Sequence, residues 1–350
     1  MSKHEDLMVK SVLGKFDATT RTESGKARMV GFEIEYAGVP LRRTAEIVQD
    51  LYGGEIEEQS KAEWRVADTA LGSFRLEIDA SPVKKLVSGI EMEAVETPDA
   101  FDRFLRKTVD TAGDVVTAIS ERLAPLEIVA PPVLIDQIEE LDRLRQALFF
   151  ENAKDTQASF HHAFGLHINP EAVSLKTGSI LRHIQAFALL YPLLKELHGV
   201  DISRRITPFI EPYSEAYLDH ILADGYAPDL TALIRDYHQF NPSRNKALDM
   251  LPLFAELDED LVRSLYGAAE KINARPTYHY RLPNCELSRS NWSLMLEWQR
   301  WLLVEELAAS EDRLERLRRD RQAAPVAFAT RMREAVSAYD DRDAALAGGG

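Results

Sequence analysis

The sequence contains a single cysteine, Cys285, so no internal disulfide can staple it, and its stability must come from a packed core. Long hydrophobic runs are missing too. The longest apolar stretch, Ala186 to Leu194, falls far short of the ~20 residues that span a bilayer, which predicts no membrane partner. Met1 to Lys15 carries Lys3, His4, Glu5 and Asp6 and no hydrophobic signal core, and together with the lone cysteine this predicts a cytoplasmic protein. Basic charge is in deficit: 42 Lys and Arg stand against 57 Asp and Glu, a formal charge of −15. Duplex nucleic acid is bound through a basic face that such a chain would have to build against its own field, so nucleic acid is not an expected partner. Also absent are Gly-x-x-x-x-Gly-Lys-Ser/Thr, Gly-x-Gly-x-x-Gly opening a helix, His-Glu-x-x-His and Gly-x-Ser-x-Gly. A nucleotide, if bound, must be held by other means.

What is present is an ordinary globular composition, 45% apolar and 28% charged over 350 residues, which excludes disorder, collagen and coiled-coil fibre and suits one large domain or two. Residues 1–27 are polar and unpatterned and are expected to be flexible, and 340–350, charged and then glycine-only, read as a disordered tail. Helical spacing of Leu41, Ala45, Val48 and Tyr52, stopped by Gly53 and Gly54, predicts a helix from Pro40 to Tyr52. A second helix is expected from Thr97, capped by that residue with Pro98 in the first turn, and a third from Ile135 to Phe149. After Pro170 the pattern is mostly helical, at Ser179 to Leu197, Ser214 to Ala223, Asp229 to Phe240 and Asn291 to Ala309, with one late strand at Thr277 to Leu282.

The remaining strands alternate strongly. Val30, Phe32, Ile34 and Tyr36 face one way while Gly31, Glu33 and Glu35 face the other; Trp64, Val66 and Asp68 share a face; Phe74, Leu76 and Ile78 oppose Arg75, Glu77 and Asp79. From Phe160 to Ile168 a face containing His161, Ala163, Gly165, His167 and Asn169 opposes a large apolar one. A sheet with one apolar face needs a helical layer over it, leaving a second face that is polar and acidic. Glu33 and Glu35, two apart on one strand, are either a solvated face or oxygen ligands for hard divalent cations. Glu127 is a lone acid in the apolar run Leu126 to Pro132 and needs a partner. His167 and Asn169 point with Gly165 to the polar face, as ligands or as satisfied structural groups. Cys285 reads as a small apolar filler, Trp292, Trp298 and Trp301 as core or interface, and the mixed-charge run Arg313 to Arg321 as a solvated helix.

Taken in order, Gly31-Phe32-Glu33-Ile34-Glu35-Tyr36, Trp64-Arg65-Val66-Ala67-Asp68, Leu126-Glu127-Ile128-Val129-Ala130-Pro131-Pro132, Gly165-Leu166-His167-Ile168-Asn169 and Tyr280-Arg281-Leu282-Pro283 resemble the amidoligase family of carboxylate-amine ligases, related to glutamate-cysteine ligase and glutamine synthetase. The resemblance spans about Val30 to Leu303. It implies an α+β fold in which an antiparallel sheet has a polar concave active-site face and helices pack on the other, with a helical second half. The implied catalytic domain is 28–310, with a helical insertion at about 171–274 and C-terminal helices at 311–339. The implied activity is an ATP- and Mg2+- (or Mn2+-) dependent ligase joining a small-molecule carboxylate, such as an amino acid or peptide, to an amine through an acyl phosphate. On that pattern Glu33, Glu35, Glu127 and His167 hold metal, Asn169 lies beside His167 at the nucleotide, Asp68 is a ligand or positions substrate, and Arg281 lies against phosphate. The chain departs from the pattern where the family has Glu-Phe-Arg: here stands His279-Tyr280-Arg281, and Glu286 is the candidate replacement for the missing metal-binding carboxylate. A metal-binding protein of the same fold without ligase chemistry and a non-enzymatic interaction protein are the alternatives. The number of copies is left open.

Overall fold

The computed structural model describes residues 19–60, 62–78, 126–151, 153, 164–200, 210–267 and 270–336. The N-terminal stretch before Thr19, the helix expected from Thr97, the Phe160 to Ala163 part of its strand, Asp79 and the 340–350 tail lie outside the described residues. The rest forms two compact units of an α+β fold, Met29–Asn169 with Pro283–Met295, and Met1–Arg28 with Pro170–Leu282 and Leu296–Gly350.

The first unit is built on an antiparallel sheet. Its strands are β1 (Met29–Tyr36), β2 (Glu55–Glu58), β3 (Glu63–Thr69), β4 (Gly72–Ile78), β5 (Leu126–Val129), β6 (Val133–Leu134) and β7 (Leu166–Pro170). They lie in the order β2-β3-β4-β5-β1-β7, with β6 also paired to β1. Trp64, Leu76, Ile128 and Ile34 fall in one cross-strand row, and Val66 pairs with Phe74, so apolar side chains line up on one face. That face is covered by α1 (Leu41–Tyr52), which packs on β2, β3 and β4 and against α2 (Ile138–Phe150). Tyr52 of α1 stacks on Phe74 with ring centroids 5.5 Å apart, and its hydroxyl donates to the Glu140 carbonyl at 2.9 Å, tying helix, sheet and α2 together. Tyr36 reaches the same layer through a 2.5 Å hydroxyl contact with Thr44.

The second unit is mainly helical. It contains α3 (Thr177–Leu197), α4 (Glu215–Ile221), α5 (Leu230–Phe240), α6 (Leu251–Leu257), α7 (Glu259–Tyr266), α8 (Leu294–Ala309, from Leu296 on), α9 (Glu311–Ala323) and α10 (Pro325–Glu334), with the two-residue strands β8 (Leu248–Asp249) and β9 (His279–Tyr280) paired antiparallel. An aromatic cluster of Phe187, Tyr213, Tyr217, Tyr237, Tyr280 and Trp301, in edge-to-face and tilted pairs, fills its core. The tyrosine hydroxyls of Tyr213 and Tyr237 both donate to the Leu248 carbonyl, at 2.7 and 3.2 Å. In the same unit Arg28 is fully buried, held by both oxygens of Glu305 at 2.5 and 3.0 Å and by the carbonyls of Glu171 and Thr19. Among the described residues no helix is long and apolar enough to cross a membrane.

Several elements differ from the expectation. The late strand is only His279–Tyr280, because Pro276 and Pro283 bracket it without amide donors and the Thr277 amide is used locally on the Arg275 carbonyl at 2.7 Å. β2 is an edge strand of sequence Glu-Ile-Glu-Glu whose single apolar residue gave no alternation to read. The shared face of Trp64, Val66 and Asp68 breaks at a bulge between Val66 and Thr69, where Asp68 takes φ of 53° and Val66 and Ala67 are both buried.

Candidate metal centre

Because side chains alternate along β1, burying Phe32 and Ile34 against the helices turns Glu33 and Glu35 to the opposite face of the sheet. The cross-strand register then places Glu35 opposite Glu127, Glu127 opposite Glu77, and Glu77 opposite Glu63. Directly paired residues share a face and neighbouring strands lie ~4.8 Å apart, so the four glutamates form a row across β3, β4, β5 and β1. One step along, Glu33 faces Val129, which faces Arg75, which faces Arg65. Arg75 pairs with Glu77, and Arg65 with Glu57 at 3.6 Å. Compensating arginines therefore stand at the β3–β4 end of the row.

At the other end, β7 brings a histidine and an amide. His167 Nδ1 lies 2.9 Å from Glu33 Oε2, and its Nε2 lies 3.5 Å from Glu35 Oε1. Asn169 Nδ2 donates to Glu33 Oε1 at 2.9 Å, and the Gly165 amide donates to Glu35 Oε2 at 2.5 Å. Both carboxylates are thus held at both oxygens. Gly31 makes room for this: a Cβ there would stand 3.5 Å from Asn169 Cβ, so any larger side chain would meet the amide.

Glu127 sits between these groups. Burial first, then the charge of Glu33, a side-chain hydrogen bond with Glu77 and the charges of Glu35 and Glu77 hold its carboxyl well above the usual carboxylate range. Three acidic neighbours around one buried carboxyl are unfavourable without a cation, and a divalent ion relieves this by replacing the proton. One ligand atom each from Glu35, Glu127 and His167 lie within 4.8 Å of one another. The two carboxylate oxygens are donors of the kind that Mg2+ or Mn2+ takes, while the imidazole is a donor more usual for softer divalent ions.

Asp68 is exposed in its bulge, on a strand separated from β1 by two others. Glu286 is buried and accepts a hydrogen bond from Arg289 Nη1 at 2.5 Å. Arg281 belongs to the helical unit, where its Nη1 donates to the Arg244 carbonyl at 3.0 Å. Glu63 and Glu77, which complete the row, were not singled out from the sequence; the alternation of Phe74, Leu76 and Ile78 already put Glu77 on the polar face, and its pairing with Glu127 is what that pattern lacks.

Residues 26–303 match the family model described as "Putative amidoligase enzyme". The chain belongs to the amidoligase family. No curated protein and no solved structure matches it. In this amidoligase the matched segment contains the whole glutamate row, His167 and Asn169, and it ends within α8, before α9 and α10. Membership supports an enzyme of the ligase type.

Proposed function

We propose that the protein is an ATP- and Mg2+-dependent carboxylate-amine ligase, whose polar sheet face is the catalytic surface. The observation that carries this is the assembly of Glu33, Glu35, Glu127 and His167 on one face of the sheet in an amidoligase chain. In this reading a substrate carboxylate attacks the γ-phosphorus of ATP and releases ADP. An amine then attacks the acyl phosphate, forming the amide, releasing phosphate and giving up a proton to solvent. Glu33, Glu35, Glu127 and His167 would hold the ions, with Glu77 in position to join them; bound divalent ions supply the charge neutralisation that lets two anions approach. Within the chain itself, Asn169 and His167 fix the two oxygens of Glu33, and the Gly165 amide orients Glu35, so the ligands are oriented before any ion arrives.

A net charge of −15 favours the same conclusion, because ATP adds further negative charge and needs cations to dock on an acidic face. The test is ADP release with ATP and magnesium across a panel of amino acids and amines, set beside Glu35→Gln. Amine-stimulated ADP release by the natural chain and its loss in the variant are expected. Calorimetric magnesium binding with no turnover for any amine would select a metal-binding protein without ligase chemistry instead.

A further inference from the structure

The helical unit has a cavity of about 900 Å³, within the size range of small-molecule sites. One wall is the first turn of α3 and the turn that follows, contributing Gly178, Ser179, Arg182 and His183, and the end of α8 forms another. Three carboxylates, Glu23, Glu305 and Glu306, and three cations, Arg21, Lys176 and Arg182, line it. Each acid on the wall is already paired: Glu23 with Lys176, Glu305 with Arg28, and Glu306 with Arg313. The arginines Arg21 and Arg182, which also line it, have no carboxylate partner among the described residues. In so acidic a chain, two arginines left over at one cavity point to an anion.

Arg182 is held in place for this. Its Nε donates to the Ala308 carbonyl at 3.1 Å, at the C-terminal end of α8, and its Nη1 lies 3.9 Å from where a Cβ on Gly178 would stand. Gly178 is the second residue of a 21-residue helix whose first turn has no side-chain cap, so its amide is an open donor beside that guanidinium. His183 gives an independent sign of a ligand. It is 6% exposed, and its Nδ1 must carry the proton, because it faces the Ser179 carbonyl at 2.8 Å. That leaves Nε2 as a lone pair with no donor among the described residues. Burial pushes the imidazole pKa down and keeps the ring neutral.

We infer that this cavity binds a small molecule bearing an anionic acid group, taken by the Gly178 amide and the Arg182 guanidinium, with an adjacent O–H or N–H that donates to His183 Nε2. A monoprotonated phosphate and an α-amino acid share that chemistry. The inference does not rest on the ligase reading, since it concerns the other unit and is read by binding alone.

Calorimetry on the full chain with inorganic phosphate and, separately, glycine tests it, without ATP or metal. The variants are Arg182→Gln and Gly178→Ala. The second fills the cradle with one methyl at ordinary contact distance while favouring the helix, so it should melt no lower than the natural protein. Saturable binding of at least one probe is expected, weakened about tenfold or more by Arg182→Gln, which removes a charge-assisted contact, and less by Gly178→Ala, which keeps the amide and adds one methyl beside the guanidinium. Phosphate alone binding identifies a phosphate ligand, and glycine alone an amino acid. The inference is overturned if neither probe saturates by about 10 mM, or if both variants bind like the natural chain.

Discussion

Glu127 and Glu77 stand directly opposite each other on adjacent antiparallel strands, and a hydrogen bond between their carboxyls helps keep Glu127 protonated. Two carboxyls can share such a bond only while a proton remains on one of them. The fold therefore carries a stored electrostatic cost at neutral pH, on the face where a cation is proposed to bind.

Glu127→Gln is expected to make the ion-free protein more stable at pH 7. The sign follows from the raised pKa: the unfolded chain loses the Glu127 proton near the ordinary value of 4.5, whereas the folded chain keeps it to higher pH. Stability from this group is thus full below about pH 4.5 and falls as pH rises towards the folded value. Glutamine does not titrate, so the gain should appear at pH 7 and vanish at pH 4. Urea denaturation of both proteins at the two pH values measures it; a variant that is less stable at pH 7 counts against a strained carboxyl.

Asn169→Leu keeps the size of the side chain and removes the donor to Glu33 Oε1. With Glu33 Oε1 released and only its other oxygen still held by His167, affinity for Mg2+ or Mn2+ should fall roughly 10–100-fold, the range seen when a group that orients a metal ligand is removed. Titration calorimetry with Mn2+ reads the change. An unaltered dissociation constant would mean that Glu33 is positioned without Asn169.

How much of this centre was legible beforehand depends on whether the signal was local. The alternation of Val30 to Tyr36 fixes which way Glu33 and Glu35 point, because the period of a strand is written in consecutive residues. Likewise the helix expected at Pro40 to Tyr52 is Leu41–Tyr52, ended at Gly53 with φ of 74°. The glutamate row is different. That Glu63 and Glu77 land beside Glu127 and Glu35 is a matter of register between strands up to about ninety residues apart, and nothing in any one segment states it. The face of Asp68 is a related case: Trp64-Arg65-Val66-Ala67-Asp68 reads as plain alternation, and the bulge that exposes Asp68 comes from pairing with β4.

In the helical unit, Arg28→Met should destabilise strongly, by about 3–5 kcal/mol, because Glu305 would keep its buried charge with, among the described residues, only the Trp301 indole as donor. The double variant with Glu305→Gln removes that charge while still accepting from Trp301 Nε1, and it should recover part of the loss. Recovery stays incomplete, since the carbonyls of Thr19 and Glu171 also lose their donor. Chemical denaturation of the two variants decides the matter: a double variant no better than the single would show that the loss lies in packing and carbonyl satisfaction and not in the orphaned charge.

Gly53 and Gly54 are neighbours with positive φ, yet they should respond differently to alanine. At Gly53, φ is 74° with ψ of −158°, a region essentially reserved for glycine, and a Cβ meets nothing within 4 Å, so Gly53→Ala carries only that backbone strain, about 1–3 kcal/mol. At Gly54, φ is 94° and a Cβ would stand 2.3 Å from the Ala67 carbonyl oxygen and 2.9 Å from Thr69 Cγ2. That oxygen is backbone on β3, where Ala67 is the register partner of Glu55, so it cannot swing aside as a side-chain tip would. Relief requires β2 to move away from β3, at the bulge that already shapes the strand. Gly54→Ala should therefore cost about 1–3 kcal/mol more than Gly53→Ala, the added amount being the usual penalty for overpacking. Urea melts of the two single variants read this directly, and equal losses would mean that the β2 edge yields freely and that Gly54 is required only for its backbone conformation.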